Sequence, residues 1–126
     1  MVNDKIRTLL IIQGVYTSLT AIWPLIDIEG FMAVTGFKTD QWLVKTVGAL
    51  LIPVAVSFFL ASRQKQPNWP VYILAAGSCI SFAAIDFYYT GIDRIKWVYQ
   101  ADGFLQLLFL ISWSVLLLPL ARRLRV

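Results

Sequence analysis

The stretch WPVYILAAGSCISFAAIDFYYT, residues 69–90, is apolar over almost its whole length and carries one charged residue, Asp86. A helix of about 20 apolar residues is long enough to cross the hydrocarbon core of a bilayer. The apolar residues are continuous and do not alternate with polar ones, which argues against a membrane-spanning β-strand. Residues 69–90 therefore predict a transmembrane helix, and with it an all-α membrane protein.

Three further stretches have the same character, at residues 6–26, 42–61 and 97–121. Only 14% of the chain is charged, whereas a soluble domain has about 25% charged residues. The short connections 62–68 and 91–96 make neighbouring helices antiparallel. We expect one polytopic domain over residues 1–126, with four transmembrane helices in an antiparallel bundle. The longer, partly apolar connection 27–41 is expected to form a short interfacial helix, and whether it caps the outer end stays open.

The basic residues indicate how these helices are oriented. Seven lysines and arginines fall on the side of the termini and of the 62–68 connection, and four fall on the opposite side. Because the side richer in basic residues faces the cytoplasm, both termini are expected to be cytoplasmic. The seven are Lys5, Arg7, Arg63, Lys65, Arg122, Arg123 and Arg125, and the four are Lys38, Lys45, Arg94 and Lys96.

The composition excludes several kinds of chemistry. The chain has no histidine, so the commonest metal ligand and proton shuttle are missing. Cys79 is the sole cysteine, so no disulfide or thiol pair can form within the chain. The net charge of +4 comes largely from basic residues on the cytoplasmic side, and not from a basic groove. We expect no cofactor, no metal site and no nucleic-acid partner.

Three ionisable residues share one level in the predicted bundle. Lys45, Asp86 and Asp102 each lie roughly one helical turn inside the outer surface, on three different helices. Charged groups at membrane depth are costly unless they face the interior and pair. We expect the three to meet, with Lys45 as the counter-charge. One lysine cannot neutralise two aspartates, so either one carboxyl holds a proton or a ligand supplies the missing cation or donor.

Polar and aromatic residues accompany this cluster on the faces expected to point inward. On the last helix Tyr99, Asp102 and Gln106 share a face, and on the first helix Gln13 and Trp23 belong to a polar-aromatic stripe. Two interpretations of this polar cluster are equally favoured: it fixes the register of the helices, or it binds a ligand. For Gln13 alone, a hydrogen bond between helices is favoured. The candidate ligand-binding set is Asp86, Asp102, Lys45, Tyr99, Gln106, Tyr89, Trp23 and Gln13, with no catalytic residue.

Two stretches carry a resemblance to a known family. VTGFKTDQWLVKTVGALL (34–51) and IDFYYTGIDRIKWVYQADGFLQ (85–106) resemble small four-helix bacterial membrane proteins of the DoxX-like kind. The resemblance implies a four-helix bundle in a bacterial inner membrane, and thiol-oxidation or quinol-linked roles are proposed for some such proteins. Cys79 has no second cysteine for paired-thiol chemistry. The resemblance assigns no catalytic residue.

Three functions fit these features. The first is an outward-facing acidic and aromatic pocket that binds, or binds and transports, a small cationic or amphipathic ligand, in a protein that forms a homo-oligomer. The second is an accessory or assembly subunit of a larger membrane complex, in which the polar cluster sets register. The third is an intramembrane isomerase of lipid-like substrates that uses Asp86 and Asp102 as acid and base.

Overall fold

The computed structural model describes residues 3–124, which form five α-helices: α1 (Asp4–Ile26), α2 (Ile28–Thr35), α3 (Gln41–Ser62), α4 (Trp69–Gly91) and α5 (Val98–Arg123). Helices α1, α3, α4 and α5 are each long and apolar enough to cross a membrane. This confirms the predicted all-α class and the four apolar spans, whose ends differ from the helix ends by no more than two residues. Arg125, one of the residues used to predict orientation, lies outside the described residues.

Short polar side chains cap the N-termini of three of the helices. The Asn3 Oδ1 atom accepts a hydrogen bond from the backbone N–H of Lys5 at 2.6 Å, and the Asp27 Oδ1 atom accepts one from Gly30 at 3.1 Å. Asn68 plays the same role at the start of α4. Such caps satisfy backbone donors that have no partner inside the helix. Asp27 ends α1 and caps α2, so the chain turns sharply at the end of the first long helix.

Helix α1 packs mainly against α3, and glycines allow the close approach. A Cβ atom built on Gly48 would lie 2.7 Å from the backbone oxygen of Ala21, and one built on Gly14 would lie 2.9 Å from the ring of Phe59. Helix interfaces in membranes favour small residues for this reason, because van der Waals packing replaces the hydrophobic effect. The two helices therefore approach each other most closely where Gly14 and Gly48 lie.

Helix α4 packs mainly against α5, again through a glycine. A Cβ atom on Gly103 would lie 3.0 Å from the ring of Phe87 and 3.2 Å from the Cβ atom of Asp86. Phe87 also meets Phe104 edge to face, with ring centroids 5.1 Å apart. The close contact at Gly103 places Asp86 directly beside the start of α5, next to Asp102.

A buried polar network joins the two helix pairs. The side chain of Gln13 donates to the backbone oxygen of Ala75 at 3.1 Å and to the Cys79 sulfur at 3.3 Å, and its Oε1 atom accepts from Trp113 Nε1 at 2.6 Å. Tyr72 stacks on Trp113 with ring centroids 5.5 Å apart. Helices α1, α4 and α5 are thus held together around a single glutamine, whereas α3 packs only slightly against α4.

The short helix α2 lies against the ends of α1 and α5. The Phe31 ring meets Trp23 edge to face, with centroids 5.4 Å apart. The Thr35 side chain at the end of α2 is buried. The expected short helix in residues 27–41 is therefore present, and it covers one end of the space between the first and last helices.

The outer faces of the long helices carry exposed apolar side chains. A bilayer is the solvent that suits such faces, because lipid tails are as apolar as the side chains themselves. Examples from each helix are Leu19, Leu50, Ile73 and Leu108.

Candidate functional site

A cavity of about 310 Å³ lies between α1, α2 and α5. Its volume is at the lower end of the range typical of small-molecule pockets, about 300–1,000 Å³. Most of its surface is apolar or aromatic, and Asp102 supplies the one carboxyl group of the lining. The lining residues include Tyr16, Thr20 and Trp23 from α1, Phe31, Val34 and Thr35 from α2, and Tyr99, Asp102 and Leu105 from α5.

Tyr16 and Asp102 form the polar part of the cavity wall. The Tyr16 hydroxyl donates a hydrogen bond to Asp102 Oδ1. The Tyr16 ring packs on Phe109, with centroids 5.8 Å apart, so its position is fixed by the core. Trp23 lies seven residues further along α1, about 10 Å away at the helical rise. The cavity therefore extends from a carboxylate–phenol pair to an aromatic pair made by Trp23 and Phe31.

Asp86 lies next to Asp102, on the α4 side. Asp86 is only 3% exposed, and its Cβ atom would lie 3.2 Å from a Cβ atom built on Gly103, the residue that follows Asp102. Among residues 3–124, no donor hydrogen-bonds to Asp86 Oδ2, which is buried. Thr90 does not serve as one, because its hydroxyl donates to the backbone oxygen of Asp86 at 2.7 Å. Asp86 and Asp102 thus lie side by side where α4 meets α5, and Asp102 lines the cavity.

Lys38 lies at the rim, where α2 ends. Its ammonium group donates to Thr35 Oγ1 at 2.9 Å and to the backbone oxygen of Gly36 at 3.1 Å. It also lies 5.3 Å from the ring centroids of both Phe31 and Tyr99. A cation at the carboxyl end of a helix is favoured by the helix dipole. Lys38 therefore ties α2 to α5 and fixes the aromatic rim of the cavity.

The structure brings part of the predicted residue set to this cavity. Asp102, Tyr99 and Trp23 line it. Asp86 and Gln106 are buried, Asp86 beside Asp102 and Gln106 one turn deeper along α5. Of the three residues expected to meet, the structure places Asp86 and Asp102 side by side at the α4–α5 contact.

Three predicted residues lie elsewhere. Tyr89 is 37% exposed and meets Tyr88 edge to face, and neither tyrosine lines the cavity. Gln13 is buried in the core, with its amide bonded to α4 and α5. The favoured interpretation of Gln13 as a bond between helices agrees with this arrangement. Lys45 is exposed on α3.

The expectation that Lys45 pairs with the aspartates is wrong in this structure. Within residues 3–124 a single ion pair is present, between Arg7 and Asp4. In this part of the chain Lys45 forms no ion pair with Asp86 or Asp102. The physical reason is the rotation of α3, which packs on α1 through a line of residues that does not include Lys45. An exposed lysine near a helix end reaches the headgroup region by extending its side chain. The buried or half-buried line consists of Val44, Gly48, Leu51, Ala55 and Phe58.

The candidate ligand-binding set left out several residues that line the cavity. Tyr16 belongs to the same stripe as Gln13 and Trp23, three residues after the first and seven before the second, so helical spacing was the available signal. Phe31 and Thr35 are four residues apart on α2 and face the cavity together. That spacing would have predicted a shared face once 28–35 was taken as helical.

Comparisons with protein-family models, with curated proteins and with solved structures find no match to this chain. What the cavity binds is therefore inferred from its own chemistry. Within residues 3–124 no group of three acidic or cysteine side chains is placed to hold a metal ion.

Proposed function

We propose that this chain is a membrane protein that binds a small organic cation with an apolar body in the cavity between α1, α2 and α5. The observation that carries the proposal is the pairing of one carboxyl group, Asp102, with an aromatic lining in a space of about 310 Å³. Pockets for small molecules combine a mostly apolar wall with a few placed polar groups. A carboxylate next to aromatic rings suits a cation, which gains both charge pairing and cation–π contact.

The positions of the aromatic groups support binding of such a ligand. Tyr16 lies beside Asp102, and Trp23 and Phe31 lie at the far end of the space. The rings of Trp23 and Phe31 support each other, so their positions are set before a ligand arrives. A preformed site loses less conformational entropy on binding than a flexible one. The Lys38 charge at the rim is held by carbonyl and hydroxyl oxygens of α2, so it is neutralised in part by the helix end.

The orientation of the protein belongs to the proposal. The four long helices form an antiparallel bundle in a bacterial inner membrane, with both termini in the cytoplasm and the cavity near the outer face. The excess of basic residues at the termini and in 62–68 supports this orientation. The contacts of Gly14 with Phe59 and of Ala21 with Gly48 support opposite directions for α1 and α3. Membership of a DoxX-like family and assembly into a homo-oligomer are parts of the same proposal.

Transport is the stronger form of this function. A bound ligand would be carried only if the cavity opened to each side of the membrane in turn. Helix α2 covers the outer end of the cavity, and its short connections at Asp27 and at residues 36–40 are where such an opening would start. Binding alone requires none of this and is the form tested first.

The test uses the full chain in lipid nanodiscs and phenyltrimethylammonium as the probe. Calorimetry should detect saturable binding, and the neutral isostere tert-butylbenzene should bind more weakly once partition into empty nanodiscs is subtracted. Asp102→Asn should weaken binding of the cation at least tenfold, since about 1.4 kcal/mol corresponds to tenfold. Asp93→Asn, an exposed acid outside the cavity whose backbone φ of 58° asparagine tolerates, is the matched control and should bind normally. Equal loss in both variants, or no binding at all, would contradict the proposal.

A second candidate is a subunit of a larger membrane complex. The observation in its favour is Lys45, which is exposed on a membrane-spanning helix and forms no ion pair with the other described residues. An acidic residue of a partner helix would suit it. A protein that co-purifies in equal amount, and is lost on Lys45→Met, would favour this role. The isomerase is less well supported, because Asp102 lines the cavity whereas Asp86 is buried behind it.

A further inference from the structure

Asp86 and Asp102 form an unusual pair because, within residues 3–124, no ion pair joins either of them to a basic side chain. The two side chains lie side by side at the α4–α5 interface, where a Cβ atom built on Gly103, next to Asp102, would lie 3.2 Å from the Cβ atom of Asp86. Lys45 lies on the exposed side of α3 and Lys38 is bonded to the end of α2, so neither neutralises the pair. Two ionised carboxylates in contact repel each other strongly, and the usual solution is a proton shared between them.

The described side chains around Asp86 and Asp102 supply no hydrogen-bond donor to Asp86 Oδ2, and a shared proton would supply one. From α1, Tyr16 donates to Asp102 Oδ1. From α4 the other titratable group near the pair is Cys79, which accepts from Gln13 and makes no bond to either aspartate. Beyond the end of α2, the Lys38 ammonium group lies 5.3 Å from the centroid of the Tyr99 ring and donates to Thr35 and Gly36. Asp86 Oδ2 remains buried without a donor among the described residues, although a buried acceptor is costly to leave unpaired.

We propose that the Asp86–Asp102 pair holds one proton when no ligand is bound, and that a cation bound in the cavity beside Asp102 displaces it. This inference rests on the proposed function and names the ion to which ligand binding is coupled. Without ligand the pair carries one proton and one negative charge. With the cation bound, both carboxyl groups are ionised, the cation balances one of the two charges, and the proton leaves to water. Binding therefore exchanges an organic cation for up to one proton.

The placement of the two aspartates gives them different parts in this exchange. Asp102 lines the cavity and meets the ligand. Asp86 is 3% exposed and reaches the ligand only through Asp102, so it is a positioning residue that stores the proton. A high proton concentration on the side to which the cavity opens would then favour release of the cation. A low proton concentration there would favour its binding in the cavity.

The test measures proton release directly. Phenyltrimethylammonium is titrated into the full chain in nanodiscs by calorimetry in two buffers of the same pH but different ionisation enthalpy. The difference in observed heat gives the number of protons released per cation bound. The wild-type chain should release a fraction of a proton that rises towards one as the pH is lowered. Asp86→Asn should still bind the cation, with altered affinity, and should release none. The neutral tert-butylbenzene should release none from either chain.

The outcomes separate this inference from the proposed function. Saturable cation binding without proton release by the wild-type chain across pH 5–9 would overturn the proton exchange and leave the binding site standing. No binding of the cation at all would overturn both. If Asp86→Asn does not fold, as judged by circular dichroism and gel filtration, the wild-type measurement alone decides. Release that persists in a folded Asp86→Asn chain would also overturn the inference.

Discussion

Gln13 illustrates how one residue can hold several membrane helices together. Its amide uses both polar atoms, donating to Ala75 and Cys79 on α4 and accepting from Trp113 on α5. In hydrocarbon an amide without partners is costly, so a fully bonded glutamine specifies one arrangement of three helices. Gln13 belongs to the candidate ligand-binding set, although a bond between helices is favoured for it from the sequence, and its contacts agree with that favoured role in stability and register.

The Trp113–Gln13 hydrogen bond gives a prediction at the same scale. Trp113→Phe removes the N–H donor and leaves a small void in the core, because Trp113 is fully buried. We expect a loss of about 1–3 kcal/mol in the free energy of unfolding, measured by SDS titration in mixed micelles. Trp97→Phe is the control, since Trp97 is 76% exposed, and it should change stability by less than about 0.5 kcal/mol. Equal effects of the two substitutions would show that the network is unimportant.

Depth and pairing of charged groups were only partly readable from the sequence. Counting residues from the helix ends correctly brought Asp86 and Asp102 to one level, because the rise per residue in a helix is constant. The same count placed Lys45 at that level, but it could not give the rotation of α3. Val44, the neighbour of Lys45, lies on the buried side of that helix. Consecutive residues of an α-helix differ by about 100° around its axis. This rotation is enough to place Lys45 on the exposed side of α3 and not beside the aspartates.

At the scale of elements, the ends of the long helices were predictable and their partners were not. A tryptophan lies near one end of each span, and short polar connections separate some of them. The order of residues therefore predicted the helix ends to within two residues. Helix α3 is apolar nearly all around, which leaves no hydrophobic stripe to show the side facing α1. Its partner is instead decided by small residues such as Gly48, whose effect depends on the shape of the opposing helix.

Gly48 provides a prediction about the α1–α3 contact. Gly48→Ala places a methyl group 2.7 Å from the backbone oxygen of Ala21, so the helices must separate. We expect this to cost about 1–3 kcal/mol of stability. Gly77→Ala is the matched control, because nothing lies within 4 Å of a Cβ atom at that position and alanine favours helix. Both variants are compared in the same SDS titration. If Gly48→Ala were as stable as Gly77→Ala, the close α1–α3 contact would be wrong.

At the scale of the whole molecule, the site depends on an element that hydropathy does not identify as a span. Helix α2 is too short to cross a membrane, yet it supplies Phe31, Val34 and Thr35 to the cavity. Its existence was predictable from the apolar character of the 27–41 connection. Its position across α1 and α5 was not, because it follows from the turn at Asp27 and from the contact of Phe31 with Trp23.

The proposed orientation predicts which connections face the cell exterior. Single cysteines are introduced at Thr39 and at Gln66, which are exposed and lie on opposite sides in the proposed topology. A membrane-impermeant maleimide should label Thr39→Cys in intact bacterial cells and Gln66→Cys only after permeabilisation. The unmodified chain is the control, because Cys79 is fully buried and should stay unlabelled. Labelling of Gln66→Cys in intact cells would reverse the orientation and place the cavity on the cytoplasmic side.

A crystal structure with a bromine-labelled probe would show whether a cation binds between α1, α2 and α5 beside Asp102. The chain is crystallised from lipidic mesophase with 4-bromophenyltrimethylammonium, and the bromine is located by its anomalous scattering. We expect a bromine peak inside the cavity near Trp23 and Phe31, with the ammonium group towards Asp102 and Tyr16. A peak on the lipid-facing surface, or a cavity filled by its own side chains with the probe elsewhere, would contradict it.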